Sequence, residues 1–325
     1  MDEATPAAPK LDVGACLTPA FAYVKERLFS PFAFETWLTL GFVSFLDQLA
    51  NGGGGGFPNF NAGNGPFGGG DSSESPEDVK ARVLEFLTTN LPWIAAIVVV
   101  GLVVVLLILY LGARGTFMYI DNVARRKAEV AGPWRRSGLH ATSYFLWILS
   151  LGFLSLVTIL AVCAPAGVLL WRLVMKQVEF GGEALGLLLV TGVILIPILL
   201  VFGVAGLFLH DFVAPLMYRF GLPGLEAWRL FLRAIRGHAF QIFLFVLLRI
   251  AIGTVLGVAS LAVMLCTCCL GLLPVIHQTI VQPVLLFARV YPLYVLERLA
   301  PEFRIVEPAP DLWASPPPGD QDHRP

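Results

Sequence analysis

WIAAIVVVGLVVVLLILYL, residues 93–111, runs for 19 positions without a charged side chain. Hydrocarbon accepts a backbone only when its polar groups bond within the segment, and about 20 apolar residues suffice for a helix to cross. The stretch therefore reads as a membrane-spanning helix. Residues 141–171, 184–209 and 250–288 repeat the pattern with no Asp, Glu, Lys or Arg. The whole chain of 325 residues agrees: 57% is apolar, 14% is charged, and mean hydropathy is +0.76. A soluble domain is typically about 25% charged. This is an all-α, polytopic membrane helix bundle. The net charge of −1 says little; where the basic residues sit says more.

Working outward, the last apolar stretch, residues 240–296, is too long for one crossing of a bilayer core of roughly 30 Å. Gly271 and Pro274 supply a fold-back, giving spans at about 240–265 and 272–296. With residues 34–50, 93–111, 141–163 and 184–209, about six transmembrane helices are expected. Pro165 is expected to end or kink the third, with a connector over 166–183, and Pro197 to kink the fourth. Two interfacial amphipathic helices flank them. The first, at 17–34, has Thr18 as N-cap, Pro19 at the first turn, and an apolar stripe of Phe21, Val24 and Leu28. The second, at 224–237, has a stripe of Leu225, Trp228, Leu232 and Ile235, with Arg229, Arg233 and Arg236 off it. A short amphipathic helix to about Asn90 precedes Pro92, and 112–140 is a polar, basic connection.

The division is then a disordered tail at 1–16, a membrane domain at 17–300, and a Pro-rich tail at 301–325. Residues 51–75 form a Gly-rich loop, with ten glycines in the 21 residues 51–71. No Gly-Lys-Ser/Thr follows it, so it is no phosphate-binding loop. It reads as a solvated linker; the sharper alternative has Phe57, Phe60 and Phe67 dip into the outer leaflet or a partner. The start of the chain lacks a basic region followed by an apolar core, so the first span is expected to act as insertion signal.

Lys and Arg favour the cytoplasmic side of short loops. With the N-terminus inside, the inner segments hold 16 of them, including Arg125, Arg126, Arg135 and Arg136, and the outer segments hold four: Lys80, Arg82, Arg172 and Lys176. Arg249 and Arg289 fall within spans. Both termini are therefore expected in the cytoplasm, in a cell (inner) membrane, with the glycine-rich loop outside.

Arg249, some ten residues into its span, is too deep to reach the surface easily. Gln278, Gln282, His277 and Asp47 are its candidate partners. Arg249, His277, Gln278 and Gln282 thus make a candidate polar cavity; hydrogen bonding that fixes helix packing is the plainer alternative. Cys163, Cys266, Cys268 and Cys269 fall near the outer ends of spans and are candidates for a disulfide, against simple apolar packing. Cys266 and Cys269 form a C-x-x-C at a helix end, where the dipole disfavours a thiolate. His277 alone does not complete a zinc set. His210-Asp211 is the nearest approach to an acid/base pair, and reads as interfacial polarity. Met118-Tyr119 and Met217-Tyr218, Trp134-Arg135 and Trp228-Arg229, His140-Ala141 and His238-Ala239 form a weak internal echo of two helical hairpins.

The stretches VKERLFSPFAFETWLTLGF, ARGTFMYIDNVARR with PWRR, and FVAPLMYRFGLPGLEAWRLF, with the Gly run, resemble an uncharacterised family of six-span bacterial and archaeal integral membrane proteins. More loosely, they are similar to the membrane domain attached to some glycerophosphodiester phosphodiesterases. The resemblance covers about residues 20–300. It implies a membrane module without the hydrolase, since the Pro-rich tail leaves no room for a barrel domain.

No nucleophile, metal set or paired carboxylates stand out, so no enzyme, cofactor or metal is expected. The reading is a non-catalytic membrane module organising lipid or a partner complex. The alternative is a small transporter or channel-like protein built around Arg249 and the sixth span. Expected partners are membrane lipids and a second membrane protein, not nucleic acid.

Overall fold

A computed structural model describes residues 11–51, 76–174, 181–266 and 273–307. The expectations for the Gly-rich loop, Cys268, Cys269 and the tail beyond 307 lie outside these residues. The described residues form eleven α-helices and no strand. In chain order they are α1 (Leu17–Phe29), α2 (Phe34–Asn51), α3 (Pro76–Ala124), α4 (Ala131–Arg136), α5 (Gly138–Val174), α6 (Gly182–Phe208), α7 (Ala214–Phe220), α8 (Gly224–Ala234), α9 (Ala239–Cys266), α10 (Pro274–Ile280) and α11 (Gln282–Leu299). A π-helical turn, Leu209–Val213, joins α6 to α7 without interruption.

Among the described residues, four helices are long and apolar enough to cross a membrane: Thr88–Ala124, Gly138–Leu173, Gly182–Phe220 and Ala239–Cys266. The expected first and last crossings are not among them. Glu35, Asp47 and Gln48 dilute α2, and the last is broken at Val281, which separates α10 from α11. The most apolar stretch of the first three long helices has nothing buried, and that of α9 only 11%. Their outer halves carry bare rows of Val, Leu and Ile, such as Val98 to Val100 on α3 and Val193, Ile194 and Ile196 on α6.

Burial is concentrated at the other end. Here α1, α2, the last third of α3, the π turn, α7, α8 and α11 meet, with Phe117, Tyr119, Phe212, Phe231, Phe245 and Tyr291 fully enclosed. The stretch expected to be a polar connection from 112 onward is therefore helix as far as Ala124, and is mostly buried. Its small residues explain why. A methyl group on Gly112 would lie 2.7 Å from Ala50 Cα, and one on Gly115 2.5 Å from the Asp47 backbone nitrogen. The backbones of α2 and α3 touch, and only glycine allows it.

Prolines fall within helices. Pro92 and Pro165 lie inside α3 and α5 rather than at their ends. A missing backbone N–H is tolerated where neighbours and local adjustment re-satisfy the chain. Cys163 therefore sits eleven residues, about 16 Å, before the end of α5. Among the described residues Cys163 and Cys266 are free thiols, so the expected disulfide is not formed between these two.

Helices form at both segments expected to be amphipathic, with inward faces that differ from the expected stripes. In α1 the packed stripe is Ala20, Tyr23, Val24 and Leu28, while Phe21 points out. The helix starts at Leu17 after a 3-10 turn, with no side-chain cap from Thr18. In α8 the buried residues are Gly224, Ala227 and Phe231; Leu225 and Leu232 face outward. Gly224 is read by the Trp147 indole, which occupies the space a side chain would need. Residues 11–16, assigned to the tail, are packed: Val13 and Cys16 are enclosed, and Val13 N donates to Gln241 Oε1 at 3.3 Å.

Candidate functional site

One helix interruption and two close-packed glycines help build one charged cluster. Successive residues of an α-helix diverge by about 100°. The π turn widens the spiral, and the adjacent His210 and Asp211 both reach the interior. His210 Nδ1 stands 2.8 Å from Asp211 Oδ1. Its Nε2 stands 3.1 Å from Asp47 Oδ1, on α2, where the glycine contacts of α3 hold the backbone. From α9, Arg249 grips the second carboxylate: Nε donates to Asp211 Oδ2 at 2.5 Å and Nη2 to Oδ1 at 3.3 Å. From α11, Arg289 Nη1 approaches His210 Nε2 at 2.8 Å, and Nη2 donates to the Thr116 carbonyl at 3.1 Å.

All five side chains are buried or nearly so. Asp47, Asp211 and Arg289 expose 5%, 1% and 3% of their surface. Two carboxylates face two guanidiniums across one imidazole. A neutral ring with its proton on Nδ1 donates to Asp211 and accepts from Arg289. Charges this deep are stable only when paired, and Arg289 supplies positive charge facing Asp47.

The sequence-derived polar residues divide. Arg249 belongs to the cluster, but its partner is Asp211, not Gln278, Gln282, His277 or Asp47. Gln282, fully buried, donates to Tyr119 Oη at 2.9 Å and accepts from Ser44 Oγ at 3.0 Å. Gln278 and Gln48 exchange amide bonds at 2.9 and 3.2 Å. These two glutamines fix the α2 side through residues that line the site. His277 turns away to Ser260 Oγ at 3.2 Å and takes no part. His210-Asp211, read as surface polarity, is the centre, and Arg289 was passed over. One signal was legible: two arginines and two aspartates inside otherwise apolar helices are equal in number.

Above the cluster lies a cavity of about 530 Å³. Its floor is Asp47, His210, Asp211, Arg249 and Arg289. Its walls are largely apolar, among them Ile148 and Leu151 of α5, Phe202 and Leu207 of α6, and Leu256 of α9. Gly152 and Gly203 line it with open space where a side chain would stand. Two buried donors at this cavity are unsatisfied. Arg289 Nε makes no hydrogen bond, and Tyr144 Oη makes no well-formed one, the Thr116 side chain being its polar neighbour. Buried polar atoms left without partners in a native fold call for an explanation; both of these would be met by an acceptor oxygen. Among the described residues, no three His, Cys, Asp or Glu side chains are placed to hold a metal ion.

A model of a family of unknown function, DUF7544, matches residues 13–281, a range that holds every cluster residue except Arg289. No curated protein and no solved structure matches the chain.

Proposed function

The chain belongs to DUF7544, a family of unknown function, and from its geometry we propose a membrane module that holds an amphiphilic lipid without covalent chemistry. The polar head sits on the charged floor and the tail lies along α5, α6 and α9. One observation carries this reading: a single cavity joins paired buried charges to apolar walls and leaves the Arg289 Nε donor unmet. Asp211 is held by Arg249 and Asp47 by His210, which supports a binding role over a general base.

In this reading the four long helices face lipid, and α2 with α10–α11 complete six crossings as screened interior elements. Their polar residues cost little there because neighbouring helices pair them. The cluster end, with the basic residues of α4 and α8, faces the cytoplasm, following the 16-to-4 bias of Lys and Arg. Reporter fusions at positions 60 and 310 test this; both in one compartment would overturn it.

The binding test is retention. The full chain, purified in mild detergent, is released into a native mass spectrometer. Gly152→Leu and Gly203→Leu fill the cavity without touching a charge. The wild type should carry a lipid that both variants lose while melting at the same temperature. Equal lipid on all three proteins would sink the proposal.

A second reading, transport of a small polar solute, has its own support. The π turn carries two residues of the charged cluster, and the Val281 break precedes the helix that carries a third, as interrupted helices line sites in many transporters. It predicts that single cysteines along α10 and α11 react with polar maleimides from both sides; uniform protection removes it.

A further inference from the structure

A second cavity, of about 620 Å³, opens at the basic end of the bundle, away from the charged floor described above. Four arginines line it: Arg125 after α3, Arg136 on α4, Arg219 on α7 and Arg304 near the end of the described chain. Only two carboxylates line it, Asp121 and Glu307. Asp121, nearly buried, is shared: Oδ1 takes Arg125 Nε at 3.1 Å, and Oδ2 takes Arg136 Nη2 at 2.7 Å. Tyr218 Oη donates to the same Oδ1 at 2.8 Å. One carboxylate thus positions two guanidiniums and neutralises one. The remaining N–H groups of this pair stay about half exposed, with side-chain exposures of 44% and 45%. Arg219 has no ion pair among the described residues, its recorded neighbour being the Phe220 ring at 6.0 Å. Arg304 reaches Glu297 at 3.4 Å, outside the cavity lining.

The walls are fixed. Pro301, Ile305 and Val306 form a strap across one side. It is pinned where Glu307 N donates to the Ala124 carbonyl at 2.9 Å and Arg126 Nε to the Glu307 carbonyl at 3.0 Å. The Phe117 ring and Pro133 line the cavity elsewhere. Guanidiniums present planar, multiple donors that match phosphate oxygens. Four guanidiniums against Asp121, Glu307 and the Glu297 that Arg304 reaches leave one cation in excess, a charge balance that suits an oxyanion.

We infer that this cavity binds a phosphate group, carried by the headgroup of an anionic phospholipid or by a soluble phosphorylated molecule. The position at the basic end suits both sources. An anionic leaflet attracts such a cluster, and a soluble ligand reaches the same donors from the aqueous side. Asp121 and Tyr218 act by holding Arg125 and Arg136 in place. Arg219 supplies the unpaired charge, and Arg304 lends a guanidinium whose one carboxylate partner, Glu297, lies outside the lining. The inference does not rest on the lipid cavity proposed above, and the two are read out separately.

The full chain is reconstituted in nanodiscs and tested in two arms. One arm measures retained phosphatidylglycerol by native mass spectrometry, from discs in which it is a minor component in phosphatidylcholine. The other titrates inorganic pyrophosphate onto protein in phosphatidylcholine discs and follows binding by thermophoresis. Arg219→Gln/Arg304→Gln removes exposed cations without stranding Asp121, and Arg233→Gln on α8 is the charge-matched control. Hydrogen bonds to charged groups contribute enough that the double variant should weaken binding roughly tenfold or more. The control should bind as wild type, and Gly203→Leu should leave this site intact. Loss in the lipid arm alone assigns the headgroup as source; loss in the pyrophosphate arm alone assigns the soluble ligand. No binding in either arm, or a double variant that binds within twofold of wild type and melts at the same temperature, overturns the inference.

Discussion

Replacing Arg249 with methionine removes a guanidinium and keeps the volume. Asp211, 1% exposed, then keeps His210 as its remaining cross-partner and loses the two bonds at 2.5 and 3.3 Å. Stranding a buried charge in this way costs about 3–5 kcal/mol. At roughly 2–4 °C per kcal/mol for domains of 150–250 residues, the melting temperature should fall by about 6–20 °C. Asp211→Asn keeps an acceptor for His210 Nδ1 but leaves Arg249 unpaired, and should cost a similar amount. The double variant removes both charges at once and leaves neither stranded. It should cost less than either single change, giving a coupling energy of at least about 3–5 kcal/mol. The assay is intrinsic tryptophan fluorescence during heating in detergent, with survival on size exclusion as a second readout. Arg249→Met melting within about 1 °C of wild type, or a double variant as unstable as the two losses added, would refute the pairing.

Further outcomes follow from other contacts. Gly115→Ala drives a methyl against the Leu46 and Asp47 backbone; rigid overpacking of this kind costs about 1–3 kcal/mol, and a wild-type melting curve would show that α2 and α3 do not touch there. Tyr23→Phe removes the 2.8 Å bond to the Val123 carbonyl and should cost about 1 kcal/mol, read from the same melting assay. Cys16 is enclosed, and burial raises its thiol from 9.0 to about 11. Its contribution to stability is therefore complete below pH 9 and falls as pH rises from 9 to about 11. Maleimide labelling of a variant keeping only this cysteine should keep accelerating through that window, while the denatured chain levels off near pH 9; identical profiles would contradict its burial.

Residues 93–111 show what the chain decides without tertiary help. Nineteen uncharged positions force a helix wherever there is no water, because the backbone has no other partner. The same local rule yields the helical class and the four long apolar helices among the described residues. It fails where the outcome depends on a neighbour. Pro92 and Pro165 look like helix ends, yet the helices continue through them. Phe21 and Leu225 fit an apolar stripe by spacing, yet point outward, since an amphipathic helix with apolar groups on two sides does not reveal which side meets protein. Gly112 and Gly115 look like loop residues in sequence; only the approach of α2 makes them sites of backbone contact. The charged cluster is the clearest case. Its residues come from four places in the chain, Asp47, His210-Asp211, Arg249 and Arg289. That each cation needs an anion is fixed by the cost of a lone charge in hydrocarbon. Which anion it finds is decided by the π turn and by helix packing, because pairing energy depends on distances of a few ångströms that no spacing along one helix encodes.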